Sequence, residues 1–113
     1  PARMTDPALM TAEDLLAAYA TRRLSPVEAL KSVTERIARM NPWVNAFACL
    51  NPRAIQAAGE SEARWMAGRP LGPLDGVPAT VKDLLDMAGS PTRRGSRASD
   101  PRPATQDSPA VLG

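Results

Sequence analysis

Capped amphipathic helical segments alternate in this chain with two short apolar runs, which makes it α/β in class. Three observations carry that assignment. Cap-plus-proline signatures stand at Ser25-Pro26 and Asn51-Pro52. Apolar residues after the first of them recur every three or four positions. Residues 43–50, with 46–50 the likeliest strand among them, and residues 77–81 are brief apolar runs flanked by turn formers, with the length and content of buried strands.

In chain order, residues 1–10 read as a loose leader. Thr11 is an N-cap followed by Glu13 and Asp14, where the helix dipole favours acids, so a helix is predicted over about 12–22. Ser25 caps a second helix, Pro26 suits its first position, and Glu28 completes a capping box. Val27, Leu30, Val33, Ile37 and Met40 form its apolar stripe, and Asn41-Pro42 is expected to stop it. Asn51-Pro52 opens a third helix, through Ile55, Ala58 and Trp65, that stops at Gly68. Residues 69–78 are rich in turn formers, and after Gly89 no periodicity persists. That region reads as an ordered loop packed on other structure, or as a floppy tail when alone. The stripe needs a broad apolar partner. Two short strands and a proline-rich tail do not supply one, so its cover is expected from polypeptide outside these residues.

Composition narrows the chemistry. Of the 113 residues 43% are apolar, but only 4% are aromatic, and seven of the 12 prolines lie from residue 70 onward. A formal net charge of +2 gives no reason to expect a polyanion partner, so no nucleic acid is implied. No run approaches the roughly 18 apolar residues of a membrane span and no signal-peptide core is present, so neither membrane nor export is implied and a cytoplasmic protein is expected. With no histidine, a Ser-His-Asp or Cys-His site cannot be built from these residues. Cys49 alone rules out an internal disulfide framework or a multi-cysteine metal site, and its apolar neighbours suggest a buried hydrophobe. P-loop, dinucleotide and serine-elbow motifs are absent. Arg93, Arg94, Arg97 and Arg102 lack interleaved aromatics and are diluted by Asp100 and Asp107, which favours a solvated surface over phosphate contacts.

Lysine is scarce: the chain has Lys31 and Lys82 against twelve arginines. Arginine cannot release its proton in a protein, whereas a desolvated lysine can. Lys82 follows the second apolar run and precedes Asp83. Two readings stay open on the residues alone. A shielded amine at a strand end would act as a general base toward a hydroxyl. Alternatively, the side chain reaches solvent or pairs with Asp83 or Asp86.

The run from Leu74-Asp-Gly-Val-Pro-Ala-Thr-Val to Lys82-Asp83 resembles the surroundings of the catalytic lysine in amidase-signature enzymes. Asp86-Met-Ala-Gly89, Pro91-Thr92 and Gly95-Ser96 continue the likeness. Leu24-Ser-Pro-Val-Glu28, Asn45-Ala-Phe47 and Gly68-Arg-Pro-Leu-Gly-Pro-Leu74 also resemble that family, in its order. Asp107 stands where the family has an aspartate opening the next helix, and the likeness runs from residue 9 to about 111.

The resemblance implies N-terminal helices packed around a central mixed sheet. Residues 11–113 would be the N-terminal part of a single amidase-signature domain, with one or two strands supplied here. It implies hydrolysis of a carboxamide C–N bond by a Ser-cisSer-Lys triad, without metal or organic cofactor. Lys82 matches the catalytic lysine, and Asp83, Thr92, Gly95 and Ser96 match supporting positions. Ser96 is not the nucleophile. Both catalytic serines belong to a Gly/Ser-rich segment that would follow residue 113, so this fragment alone is expected to be inactive. The partners implied are a small-molecule amide and the remainder of the amidase polypeptide, and a homodimer is compatible with the resemblance. Alternatives are the amidase component of a glutamine-dependent aminoacyl-tRNA amidotransferase, a catalytically dead relative, or a non-catalytic helical interaction module.

Overall fold

A computed structural model describes residues 6–112. Its helices are α1 (Ala12–Ala20), α2 (Pro26–Val44), α3 (Ala54–Met66) and the short α4 (Pro109–Leu112), with a 3-10 turn at Pro7–Leu9. The chain divides into two compact units, residues 6–45 with 52–78, and residues 46–51 with 79–112.

The first unit holds α1, α2 and α3. Helix starts follow the capping chemistry: Thr11 Oγ1 accepts the Asp14 N–H at 3.1 Å, and Ser25 Oγ accepts that of Glu28 at 3.2 Å. At the end of α1, Arg22 takes a left-handed φ of 59°. The Arg22 and Arg23 amides then bond back to the carbonyls of Tyr19 and Ala18 at 3.1 and 3.0 Å, which is a Schellman ending. Gly68 ends α3 in the same way with a φ of 70°. The Arg22 guanidinium adds a bond to Met66 O at 3.0 Å, tying the two helix ends together. Of the expected leader, residues 1–5 lie outside the described residues, and residues 6–10 are held rather than loose. The Asp6 carboxylate accepts from the Ala8 amide and the Ser32 hydroxyl, and the 3-10 turn packs on α2.

Two helix boundaries differ from expectation. Pro42 does not stop α2, which runs on to Val44 and ends at Asn45, a left-handed residue (φ 49°) whose N–H bonds to Asn41 O at 2.7 Å. A proline within the last turn removes one amide donor but leaves the following residues free to remain helical. Likewise α3 begins at Ala54, with Arg53 and not Asn51 at its cap position.

Leu15, Ala18, Tyr19, Leu24 and Ala29 form the buried cluster, and Met10, Leu16, Trp65 and Val77 pack against it. The α2 stripe is only half-buried from Val27 to Ile37 and open at Met40, while Trp43 is 86% exposed. The buried line of α2 is Pro26 and Ala29 instead.

A polar clasp closes this unit around Asp75. Its carboxylate accepts the Ser61 hydroxyl at 2.8 Å, two Arg64 guanidinium N–H groups at 2.7 Å each and the Leu71 amide at 2.9 Å. Its carbonyl accepts the Trp65 indole N–H at 2.9 Å, and the next carbonyl, of Gly76, accepts the Tyr19 hydroxyl at 2.8 Å. The Arg64 guanidinium, more than any other partner, holds the Asp75 carboxyl well below the usual carboxylate range. Burial pushes the Tyr19 phenol up to about 12. A side chain at Gly76 is opposed on two counts. Its φ is +86°, and a Cβ would lie 2.6 Å from Ser61 Oγ and 2.8 Å from Pro26 Cγ.

The second unit is mostly loop. Neither 46–50 nor 77–81 forms a strand among the described residues, contrary to the sequence reading, and the α/β sheet is not seen there. A strand is defined by its ladder, and these two runs have no ladder partner among those residues. The isolated bridge that does occur is parallel and joins Ala88 to Ala104, in a stretch without periodicity. It is flanked by Gly89 N–H to Ala104 O at 2.9 Å and Ala104 N–H to Ser90 O at 3.0 Å. Cys49 is exposed, not the buried hydrophobe expected. No helix among the described residues is long and apolar enough to cross a membrane.

Candidate functional site

Within the second unit, residues 46–49 face the segment 80–91 across a cleft of about 540 Å³. Its walls are largely apolar, with Phe47, Val81, Leu85, Met87 and Pro91 among them; Lys82 and Asp83 are its charged residues. The Lys82 side chain is exposed, and its carbonyl accepts the Leu85 amide at 3.0 Å, which starts the turn after it. Among the described residues the ion pairs are Arg64–Asp75 and Arg102–Asp100, so Lys82 pairs with neither Asp83 nor Asp86.

Asp83 has other partners. Its carboxylate accepts the amides of Arg93 at 2.7 Å and Gly95 at 3.2 Å, and its carbonyl accepts that of Arg94 at 3.1 Å. The Arg93 amide first, then that of Gly95, holds the carboxyl below its ordinary value. The turn that presents these amides is closed by Ser96 N–H to Arg93 O at 2.9 Å, with Arg94 and Gly95 both left-handed (φ 51° and 68°). Thr92 Oγ1 donates to Asp86 Oδ1 at 2.7 Å. Asp86 is pinned in turn by Ser108, whose hydroxyl accepts the Asp86 amide at 2.8 Å and whose amide bonds Asp86 O at 2.7 Å. Ser96 Oγ accepts the Ala98 amide at 3.1 Å, a local turn contact.

The structure therefore brings Lys82, Asp83, Thr92, Gly95 and Ser96 into one unit, where Asp83 is bonded to Gly95 directly and Thr92 is held by Asp86. Three participants were not singled out from sequence as site residues. Asp107 accepts the Ala88 amide at 2.7 Å, two residues before α4 opens. Asp86 anchors Thr92. Ser90 is 6% exposed on the cleft wall, and its hydroxyl is buried with no hydrogen-bond partner among the described residues. Asp86 and Asp107 lay within quoted motifs, yet their partners are 6 and 19 residues away, which no local pattern encodes.

A family model described as Amidase matches residues 28–112, and the chain belongs to that family. Among curated relatives it is 39% identical over 89 residues to the A subunit of the mitochondrial glutamyl-tRNA(Gln) amidotransferase of Ixodes scapularis, covering 78% of this chain and 17% of that protein. With the A subunit of the glutamyl-tRNA(Gln) amidotransferase of Salinispora tropica it shares 39% identity over 95 residues, 83% of this chain and 19% of that one. With an acylamidase of Rhodococcus erythropolis the identity is 35% over 89 residues, 78% of this chain and 19% of the relative. The chain thus spans about a fifth of the length of the curated relatives it matches. No solved structure matches it.

Proposed function

We propose that this chain is the lysine-bearing N-terminal part of an enzyme that hydrolyses a carboxamide C–N bond. In this reading Lys82 is the general base of a Ser-cisSer-Lys triad whose serines lie in other parts of the polypeptide. The neutral amine takes a proton, through the bridging serine, from the nucleophilic serine as that oxygen attacks the carbonyl carbon. The proton is then returned to the departing nitrogen, the C–N bond breaks, and water hydrolyses the acyl-serine. The support is one juxtaposition: in a chain of the amidase family, the lysine of the family motif lines an apolar-walled cleft and, among the described residues, has no carboxylate pairing its charge.

The mixed sheet belongs to the same proposal. Residues 46–50 and 77–81 would become strands when other polypeptide supplies their ladder partners, and residues 11–113 would belong to one amidase-signature domain in a cytoplasmic protein. Lys82→Arg in the full-length protein tests the role of the amine: ammonia release from a primary carboxamide should disappear while the fold persists. A second reading has its own support, since two of the relatives are components of glutamyl-tRNA(Gln) amidotransferases. Glutamine would then be the favoured amide, and turnover should depend on partner proteins. Comparing ammonia release from glutamine and from an aryl amide separates the two.

A further inference from the structure

We propose that Asp83 is a positioning residue that anchors the 92–96 loop beside Lys82 through main-chain amides, and is not the counter-ion of the lysine. The inference rests on the reading of Lys82 as the general base and specifies what its neighbour does for it.

Three consecutive amides, those of Arg93, Arg94 and Gly95, converge on this one residue, two on the carboxylate and one on the carbonyl. The turn that lines them up needs left-handed dihedrals at two successive positions, one of them the non-glycine Arg94. L-residues avoid that conformation unless surrounding contacts impose it, and here the Asp83 oxygens act together with the turn's own closure from Ser96 N–H to Arg93 O. Thr92, just before the turn, is anchored separately by Asp86, and Asp86 by Ser108, so the loop is fixed at both ends. Arg93 is the charged side chain acting on Asp83, and its own Nε is turned to Ser99 Oγ at 2.9 Å. Lys82, adjacent in sequence, is in no ion pair with either carboxylate.

This division of labour has a chemical consequence. A carboxylate paired with Lys82 would favour the ammonium and oppose its use as a base. Main-chain amides satisfy Asp83 without adding a mobile proton or a second titrating group. They also set where the loop stands relative to the cleft, and small displacements of a positioned group are costly in rate.

The test uses the full-length protein, with ammonia release from benzamide and from glutamine followed across pH. In Asp83→Asn, which removes the charge and one acceptor oxygen, the plateau kcat should fall about tenfold or more while the acidic limb of the profile stays in place. Gly95→Ala, which strains the turn but keeps the Asp83 charge, should give the same signature. If Asp83→Asn does not fold, Gly95→Ala still leaves the proposal open to refutation. A counter-ion role predicts the opposite for Asp83→Asn: a retained plateau and an acidic limb moved down by about one unit, because the ammonium would lose its partner. That result overturns the proposal, as does an unchanged plateau in Gly95→Ala. Lys82→Arg is run in parallel. If that variant turns over normally, the base assignment fails, whereas a dead Lys82→Arg with a shifted limb in Asp83→Asn sinks only the anchoring role.

Discussion

Substituting Gly76 by alanine should destabilise the first unit by about 2–5 kcal/mol, and the sum can be worked from geometry. The left-handed backbone costs an L-residue about 1–2 kcal/mol. The added methyl lands 2.6 Å from Ser61 Oγ and 2.8 Å from Pro26 Cγ, and overpacking of that kind costs about 1–3 kcal/mol. Neither neighbour gives way easily. Pro26 is fully buried in the first turn of α2, and the Ser61 hydroxyl is held to Asp75 at 2.8 Å. Urea denaturation followed by far-ultraviolet circular dichroism measures the loss as a lowered midpoint at constant slope. A double-mutant cycle with Ser61→Ala isolates the clash: with Oγ gone, Gly76→Ala should cost less than in the parent by about 1 kcal/mol. A loss under about 0.5 kcal/mol, or strict additivity in the cycle, would mean that the turn has room for a side chain and would refute the reasoning.

Two further outcomes follow from the same contacts. The Asp75 carboxyl is held down by Arg64, so its contribution is complete above the unfolded carboxylate value of 3.8 and is lost as pH falls below it. Acid unfolding of Asp75→Asn should therefore be flatter than that of the parent below pH 3.8, and parallel curves would count against the clasp. Ser90→Ala removes a buried hydroxyl without a partner among the described residues, so stability should hold or rise by about 1 kcal/mol in the same urea assay. A clear loss would show that the hydroxyl is bonded.

Features governed by neighbours in sequence were legible from the residues. Thr11 and Ser25 cap helices because their hydroxyls need reach only three residues on. Lys82 stood out as a rare lysine within a family motif, and that family holds over residues 28–112. What depends on distant partners was not legible. A run such as 46–50 has strand content, but a strand exists only when another segment supplies its ladder. Pro42 marks a missing amide donor, not an obligatory stop. The clasp on Asp75 and Gly76 is assembled from Ser61, Arg64, Trp65 and Leu71 on the first and from Tyr19, 57 residues away, on the second, so the Asp-Gly pair reads locally as an ordinary turn. Asp83 was placed as a support by the family likeness, yet its partners Arg93 and Gly95 become visible only when the loop is folded.

The proposed hydrolysis needs an amine at position 82 that can lose its proton. Steady-state ammonia release by purified full-length Lys82→Arg, set beside the parent and checked for an unchanged dichroism spectrum, asks that directly. A guanidinium in place of the amine should cut kcat by about a hundredfold or more, the scale of a lost general base. Turnover close to that of the parent from a folded variant would contradict it.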